Sequence, residues 1–331
     1  MIADDADDGD PLDAGYRRAF QARADAEWTD ARTRALLGDK RLPIRPREGA
    51  LLLRALGLLD RHARLPPART PKYFQINHML LLIAADLRRR VEAERTARPR
   101  LDLVDAGCGR SYLSLLVAWW ARGALDAEVR VLGVDRSSKA LASCARRAAA
   151  AGLGEVMRFV PGELGSVALD DVWAEAFGAP RARPLDALLA LHACDTATCD
   201  AIVLGVRHDA ALIAVAPCCQ AELARAWAAL DARAPANGLR AVHAHPHLRR
   251  EVGAHVTDAL RATLLGAAGY RATPMELVES EHTPKNTLLR AVRDEAVDRA
   301  AAWADHDALV AATGGARLAL AARVEALRPR G

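Results

Sequence analysis

The residues best placed to do chemistry begin with a glycine-containing turn that holds Asp105, Gly107 and Gly109. The turn follows the apolar run Leu101–Val104, which predicts a buried strand, and precedes an apolar stretch over 112–120, which predicts a helix. A strand, a glycine turn and a helix form the opening of a nucleotide-binding α/β unit. The glycines let the backbone approach a ligand, and the helix start offers that ligand free N–H groups.

The type of ligand follows from the acid in this turn and from the motifs that the sequence lacks. A dinucleotide fingerprint needs a third glycine where Tyr112 stands, and the sequence has no phosphate-binding G-x-x-x-x-G-K-[ST] segment. Asp105 has the wrong charge for a pyrophosphate but suits an ammonium group. S-adenosylmethionine has an amino-acid end, a sulfonium and no phosphate, so the acid favours it. The turn residues predicted to bind it are Asp105, Gly107, Cys108 and Gly109.

A second acid lies at the end of the next predicted strand, Val129–Val134. Asp135 follows that strand, and an acid at the carboxyl end of such a strand can accept hydrogen bonds from both hydroxyls of a ribose. The structural alternative is a helix N-cap, which Ser137 can supply equally well. We therefore expect Asp135 to belong to the cofactor site.

Two further polar clusters follow predicted strands over 187–191 and 211–216. Because ligands of open α/β sheets bind beyond the carboxyl ends of the strands, these clusters are expected at the same edge as Asp105. His192 is a candidate general base, since its unperturbed pKa lies near 6.5; the alternative is a histidine that hydrogen-bonds a neighbouring loop. Asp195 is a second catalytic candidate, although it can equally cap the helix predicted to start at Thr196.

Lysine is rare in this chain, which has 46 lysine and arginine residues in total but lysine only at positions 40, 72, 139 and 285. Where composition favours arginine so strongly, a lysine within a motif indicates a site that needs a compact ammonium. Lys72 and Lys285 are therefore candidates to orient a substrate or to help Asp195 activate a hydroxyl. A surface lysine in a salt bridge is the alternative.

The composition is that of a folded protein, with 331 residues of which 51% are hydrophobic and 27% charged. The net charge of +4 permits a nucleic-acid partner without requiring one. No uncharged apolar run reaches about 18 residues, so no membrane span is predicted. The acidic N-terminus is unlike a signal peptide, and a cytoplasmic location with six reduced cysteines is expected. The cysteine spacing is not that of zinc sites, so no metal site is predicted.

Five segments of the sequence agree in type and order with one family, and they cover roughly residues 70–293. They are 72–77, 105–113, 191–195 with Thr198 and Asp200, 217–220, and 282–286. In these segments the chain resembles the bacterial branch of a class I methyltransferase family, whose eukaryotic relatives include the tRNA acceptor-stem ribose methyltransferases. The chain departs from the usual pattern at Arg110-Ser111, where family members have Lys-Gly. It also lacks the Cys/His zinc-finger segments of the eukaryotic tRNA enzymes.

The resemblance implies an α/β fold, a Rossmann-like sheet of seven strands with the last one antiparallel. The last two strands are predicted at 276–279 and 288–293. Around this domain, at 99–293, we expect a disordered acidic tail at 1–15, a helical region at 16–98 and a helical tail at 294–331 interrupted at Gly314-Gly315.

The resemblance also implies S-adenosylmethionine as cofactor and methyl transfer as activity. Glu163 is expected at the adenine edge of the cofactor, with a plain loop charge as the alternative. Lys72, Cys218 and Asn286 are expected to border the acceptor pocket. The expected acceptor is tRNA or rRNA, with neither DNA nor a membrane as a partner. A protein or small-molecule acceptor stays open, as does a non-catalytic RNA- or protein-binding module on the same fold. A dinucleotide oxidoreductase is a more distant alternative, and the sequence does not predict the oligomeric state.

Overall fold

The computed structural model describes residues 10–94, 99–181, 183–191, 193, 195–217, 220–230, 238–277 and 287–327. The chain forms two compact units. The first consists of the chain up to Pro161 together with Val172–Ala179, and the second of Gly162–Asp171 together with the chain from Pro180 onwards. Within the described residues, no helix has the length and apolar character needed to cross a membrane.

The first unit begins with a helical region, as predicted. Its helices are α1 (Ala14–Glu27), α2 (Asp30–Leu37), α3 (Ala50–Ala55) and α4 (Thr70–Ala93), with a 3₁₀ turn at Pro67–Arg69. The predicted disorder over 1–15 is wrong at its end, because α1 starts at Ala14. Asp13 caps this helix by accepting a hydrogen bond from the Tyr16 backbone N–H at 2.8 Å. Residues 1–9 lie outside the described part of the chain.

The start of α4 is fixed by a buried hydrogen-bonding group. The side-chain oxygen of Asn77 accepts from the Ile44 N–H at 2.8 Å, and the Tyr73 hydroxyl donates to the Ile44 carbonyl at 2.7 Å. All three residues are fully buried, so each polar group needs its partner. These bonds hold the segment that begins with Lys72 in one position.

The first unit also contains three parallel strands, β1 (Arg100–Ala106), β2 (Glu128–Asp135) and β3 (Met157–Pro161). Helix α5 (Tyr112–Ala124) connects β1 to β2, and α6 (Ser138–Ala150) connects β2 to β3. Both strand ends that were predicted to bind the cofactor therefore belong to this unit. The predicted order of strand, glycine turn and helix is confirmed.

The second unit contains β4 (Ala187–Leu191), β5 (Leu212–Ala216), β6 (Tyr270–Glu276) and β7 (Thr287–Arg293). Strands β4 and β5 are parallel, whereas β7 runs antiparallel to both of its neighbours, β5 and β6. The seven strands form one sheet in the order β3-β2-β1-β4-β5-β7-β6. The predicted seven-stranded Rossmann-like sheet with an antiparallel last strand is confirmed.

The sixth strand was predicted too late in the chain, at 276–279, and lies instead at Tyr270–Glu276. Pro274 within this strand obscures the strand pattern in the sequence. An edge strand tolerates proline because one side of it has no partner, and β6 is the last strand in the sheet order.

Helices complete the second unit. They are α8 (Thr196–Arg207), α9 (Glu222–Ala229), α10 (Arg240–Ala244), α11 (Pro246–Ala267), α12 (Arg299–Ala312) and α13 (Ala319–Glu325), while α7 (Leu169–Phe177) spans the boundary between the units. The predicted helical tail is confirmed, and its break falls at Gly314 and Gly315. Both glycines have positive φ values, of 103° and 82°.

Candidate active site

The buried carboxylate of Asp105 is the centre of the predicted cofactor site. Asp105 lies near the end of β1, and its Oδ2 accepts hydrogen bonds from the hydroxyls of Ser111, at 2.7 Å, and Ser114. Burial raises the pKa of Asp105 to about 6, although the two serine hydrogen bonds act in the opposite direction. The group is therefore mainly ionised at neutral pH, and a cationic ligand brought to it would be strongly attracted.

Ser111 stands where the resembled family has its additional glycine. It adopts the left-handed conformation, with φ 54° and ψ 30°, which costs a non-glycine residue about 1–2 kcal/mol. Its buried hydroxyl offsets this cost through the hydrogen bond to Asp105. The substitution of serine for glycine thus preserves a left-handed turn and adds a contact to the acid.

Asp135 braces the glycine turn from the neighbouring strand. Its Oδ2 accepts from the Gly109 N–H at 2.9 Å, and its Oδ1 accepts from the Ser137 N–H at 2.8 Å. Ser137 itself caps α6 by accepting from the Ala140 N–H at 3.2 Å, so the capping alternative belongs to Ser137. Asp135 is only partly buried. It can therefore hold the turn and still accept hydrogen bonds from a ligand, and its contact with the ribose stays a prediction.

Cys108, between the two glycines of this turn, points into the protein interior. It is buried and forms a hydrogen bond with Cys144, whose thiol donates to the Gly109 carbonyl at 3.1 Å. The hydrogen bond with Cys144 and burial both raise the pKa of Cys108, which keeps its thiol neutral. Cys108 therefore packs within the turn with its thiol neutral, and its contact with the cofactor stays a prediction.

Lys72 lies near the start of α4, in the same unit as the glycine turn. Its ammonium donates to the Gln75 side-chain oxygen at 3.0 Å and lies 5.5 Å from the ring centroid of Tyr112, the first residue of α5. Burial and then the nearby Arg110 lower the pKa of Lys72. The contacts of this lysine are thus with the start of the glycine-turn helix.

The side chain of Asp195 forms its hydrogen bonds with the start of α9 and with Arg225 of that helix. Its Oδ1 accepts from the backbone N–H groups of Ala221 at 3.0 Å and Glu222 at 3.2 Å, and its Oδ2 binds Arg225 at 2.7 Å. Burial alone would raise the pKa of Asp195, but these hydrogen bonds and the Arg225 charge together lower it. The alternative that Asp195 caps α8 is wrong, because its side chain forms no capping bond there. Its backbone, at φ 50° and ψ −112°, accompanies the side chain's contact with α9.

A buried ionic network behind this loop was missed by the sequence analysis. Arg261 of α11 is fully buried and donates to the Asp195 carbonyl at 2.8 Å and to Asp258 at 3.3 Å. The Gln220 amide donates to both oxygens of Asp258 at 2.8 Å. One network thus connects Asp195, which follows β4, with Gln220, which follows β5. Its only signal in the sequence was the i, i+3 pair in α11, which resembles an ordinary surface pair in a chain so rich in arginine.

Several predicted site residues are not placed by these contacts. His192, Cys218, Lys285 and Asn286 lie outside the described residues. Glu163 follows β3, is exposed, and belongs to the second unit. Their roles stay predictions.

Comparison with known proteins places a methyltransferase domain in this chain. A family model described as methyltransferase domain matches residues 71–226, and no curated protein matches the chain.

Three solved structures match this chain at low sequence identity. The methyltransferase domain of the citrinin polyketide synthase is 13% identical over 67% of this chain and 52% of its own, with a TM-score of 0.36. An O-methyltransferase from Bacillus cereus is 15% identical over 81% and 99%, with a TM-score of 0.38. The Podospora anserina methyltransferase PaMTH1 is 13% identical over 82% and 97%, with a TM-score of 0.40. The chain spans about half the length of the first. At this low identity, the substrates of these proteins cannot be assigned to this chain.

The matched family model together with the sheet identifies a class I methyltransferase domain, an enzyme domain that uses S-adenosylmethionine. The residues present fit that cofactor. The buried acid Asp105 suits the cofactor's ammonium, and the glycine turn, with positive φ at Gly107 and Gly109, lets the backbone come close to the cofactor. The second acid, Asp135, lies at the end of β2, where a ribose is predicted to bind. The predicted cofactor and enzyme class are thereby confirmed.

Cofactor affinity should depend on the ionisation of Asp105. Because burial raises its pKa to about 6, the carboxylate gains a proton and loses its charge as the pH falls through that value. We expect S-adenosylhomocysteine to bind about tenfold more weakly at pH 5 than at pH 8 in calorimetric titrations. Asp105→Asn should bind weakly at both pH values. An equal affinity of the wild type at pH 5 and pH 8 would contradict this role of the acid.

The Arg261 network should contribute strongly to stability. Arg261→Met leaves the buried Asp258 without its cation and the Asp195 carbonyl without its donor. We expect a loss of about 3 kcal/mol in the free energy of unfolding, measured in urea by circular dichroism. Arg250→Met changes an exposed arginine of the same helix and should leave the unfolding midpoint nearly unchanged. Equal midpoints for the two variants would show that the network is not stabilising.

Proposed function

We propose that this methyltransferase acts on RNA, and that the RNA backbone binds a rim of unpaired cations beside the glycine turn. The rim consists of Arg110, Lys139, Arg146 and Arg147. The first three are exposed, and Arg147 is half-buried. In the described part of the chain, no carboxylate lies within salt-bridge distance of any of the four. This rim is the observation that carries the proposal.

The rim brings four cations together without a carboxylate in salt-bridge range, whereas several exposed arginines elsewhere in the same unit pair with acids. Examples are Arg32–Glu27, Arg47–Asp25, Arg64–Asp60 and Arg89–Asp86. Unpaired cations on one face repel each other and favour a polyanion, because binding releases the counterions of the phosphates.

The spacing of the rim suits a nucleic-acid backbone. Lys139 and Arg146 are seven residues apart on α6, so they lie on one face, about 10 Å apart along the helix axis. Arg147 extends toward the turn and donates to the Arg110 carbonyl at 3.4 Å. The rim therefore links α6 to the loop that is predicted to hold the cofactor.

The chemistry asked of this chain is mainly positioning. When bound, S-adenosylmethionine supplies an electrophilic methyl group on a sulfonium. The chain's part is to align an acceptor atom with the bond from sulfur to that methyl carbon and, for a hydroxyl or amine acceptor, to receive its proton. Asp195 is held ionised by Arg225 and two backbone N–H groups, which favours a bracing role for it. His192 and Lys285 are the remaining candidates to receive the proton.

Methyl transfer from tritiated S-adenosylmethionine to pools of RNA, DNA and protein tests this function. We expect label in RNA that ribonuclease removes, and little label in the other two pools. Label in protein with none in RNA would contradict the proposal.

The rim can be tested separately through the salt dependence of RNA binding. Arg146→Ala should weaken RNA binding and reduce the slope of log affinity against log salt by about 1, as expected for one lost phosphate contact. Arg34→Ala removes an exposed cation of α2 and serves as the matched control, with no expected change in slope. Equal slopes for the wild type and Arg146→Ala would remove Arg146 from the interface.

A further inference from the structure

We propose that Cys108 and Cys144 are a site of oxidative modification, at which a peroxide converts the two thiols into a reversible disulfide that weakens cofactor binding. Cys108 lies between Gly107 and Gly109, in the turn predicted to hold the cofactor, and Cys144 lies on α6. The site would link the oxidation state of two thiols to the affinity for S-adenosylmethionine. The inference rests on that cofactor and does not depend on the methyl acceptor.

The two thiols form one short chain of hydrogen bonds. Cys108 bonds to Cys144, and the Cys144 thiol donates to the Gly109 carbonyl at 3.1 Å. Both cysteines are free and buried. Because the two sulfurs lie within hydrogen-bonding distance, a small movement of the side chains brings them to the separation of a disulfide.

The surroundings of the pair give the two thiols different reactivities. The hydrogen bond from Cys108 lowers the pKa of Cys144; burial acts against this effect, and the nearby Arg147 guanidinium lowers the pKa further. The same hydrogen bond and burial raise the pKa of Cys108. Since the thiolate is the nucleophile, Cys144 is the thiol that reacts first with an oxidant. Cys108 is then the neighbouring thiol that converts the product into a disulfide.

The reaction consumes one molecule of hydrogen peroxide and needs no other reactant. The Cys144 thiolate attacks one peroxide oxygen, the O–O bond breaks, and the departing hydroxide takes up the proton that Cys144 released. The Cys108 sulfur then attacks the resulting sulfenic sulfur, and the hydroxyl leaves with the Cys108 proton as a second water. The two thiols lose two electrons, which the peroxide receives. A dithiol reverses the modification by thiol–disulfide exchange.

The disulfide would change the shape of the cofactor turn. It removes the S–H donor of the Gly109 carbonyl, whereas the Gly109 N–H stays bonded to Asp135 at 2.9 Å. It also ties the residue between the two glycines covalently to α6. A turn that is shaped for its ligand before binding loses affinity when that shape is changed. Because both sulfurs are buried, peroxide reaches them when the turn opens.

Peroxide treatment of the reduced full-length protein tests the proposal. After treatment, the remaining thiols are blocked with N-ethylmaleimide, and linked peptides are identified by mass spectrometry. We expect a link between Cys108 and Cys144. In calorimetric titrations the oxidised protein should bind S-adenosylhomocysteine about tenfold more weakly, as for a lost hydrogen bond in the turn, and dithiothreitol should restore the affinity.

Two variants show whether the loss of affinity comes from this pair. The Cys144→Ser hydroxyl can still donate to the Gly109 carbonyl but cannot form a disulfide, so its affinity should not change on peroxide treatment. Cys199→Ser is the matched control. Cys199 is also buried and free, but it contacts Arg261 in the second unit, so this variant should respond to peroxide as the wild type does.

Several outcomes would overturn the site. They are oxidised wild type without the Cys108–Cys144 link, linked protein with unchanged affinity, and an equal loss of affinity in Cys144→Ser. The peptide map of the wild type tests the link even if Cys144→Ser does not fold. Reduced wild type that does not bind S-adenosylhomocysteine would refute the cofactor assignment and this regulation with it, whereas RNA without label would refute only the proposed acceptor.

Discussion

The structure of the candidate cofactor site depends on one buried carboxylate, that of Asp105, and on how its charge is held. Two serine hydroxyls bind the same oxygen, and one of those serines adopts a left-handed conformation to reach it. The acid therefore fixes the path of the chain from the end of β1 into α5. Asp135, at the end of β2, also holds the turn, since its two oxygens accept hydrogen bonds from the N–H groups of Gly109 and Ser137. Both acids shape the turn before any ligand arrives, which reduces the cost of ordering it on binding.

In the second unit a buried charge also holds neighbouring segments of chain, but this charge is the positive guanidinium of Arg261. Arg261 is fully buried, and its donors reach the backbone of Asp195 and the side chain of Asp258, while Gln220 binds Asp258 from the segment after β5. Removing one member would leave a buried charge or carbonyl without a partner, so the group acts as a unit. We interpret this network as the support for Asp195 and Gln220, the described ends of the two segments whose motifs resemble those of methyltransferases.

Much of the fold could be predicted from the sequence because its signals are local. The apolar run before Asp105, the glycine turn and the helix from Tyr112 gave the first part of the sheet. The sixth strand was misplaced because Pro274 interrupts its pattern. The contact of Asp195 with the start of α9 and that of Arg261 with the Asp195 carbonyl could not be predicted, since each joins residues 26 or more positions apart. In the same way, the contact of Lys72 with Tyr112 joins two helices, and only the structure shows it.

The most direct test of the account is calorimetric titration of the protein with S-adenosylhomocysteine, beside two variants. Asp135→Ala removes the brace of the glycine turn and the predicted ribose acceptor, whereas Ser137→Ala removes only the cap of α6. The account predicts binding in the micromolar range by the wild type and by Ser137→Ala, and loss of binding in Asp135→Ala. A wild type that does not bind, or an Asp135→Ala variant that binds as tightly as the wild type, would contradict it.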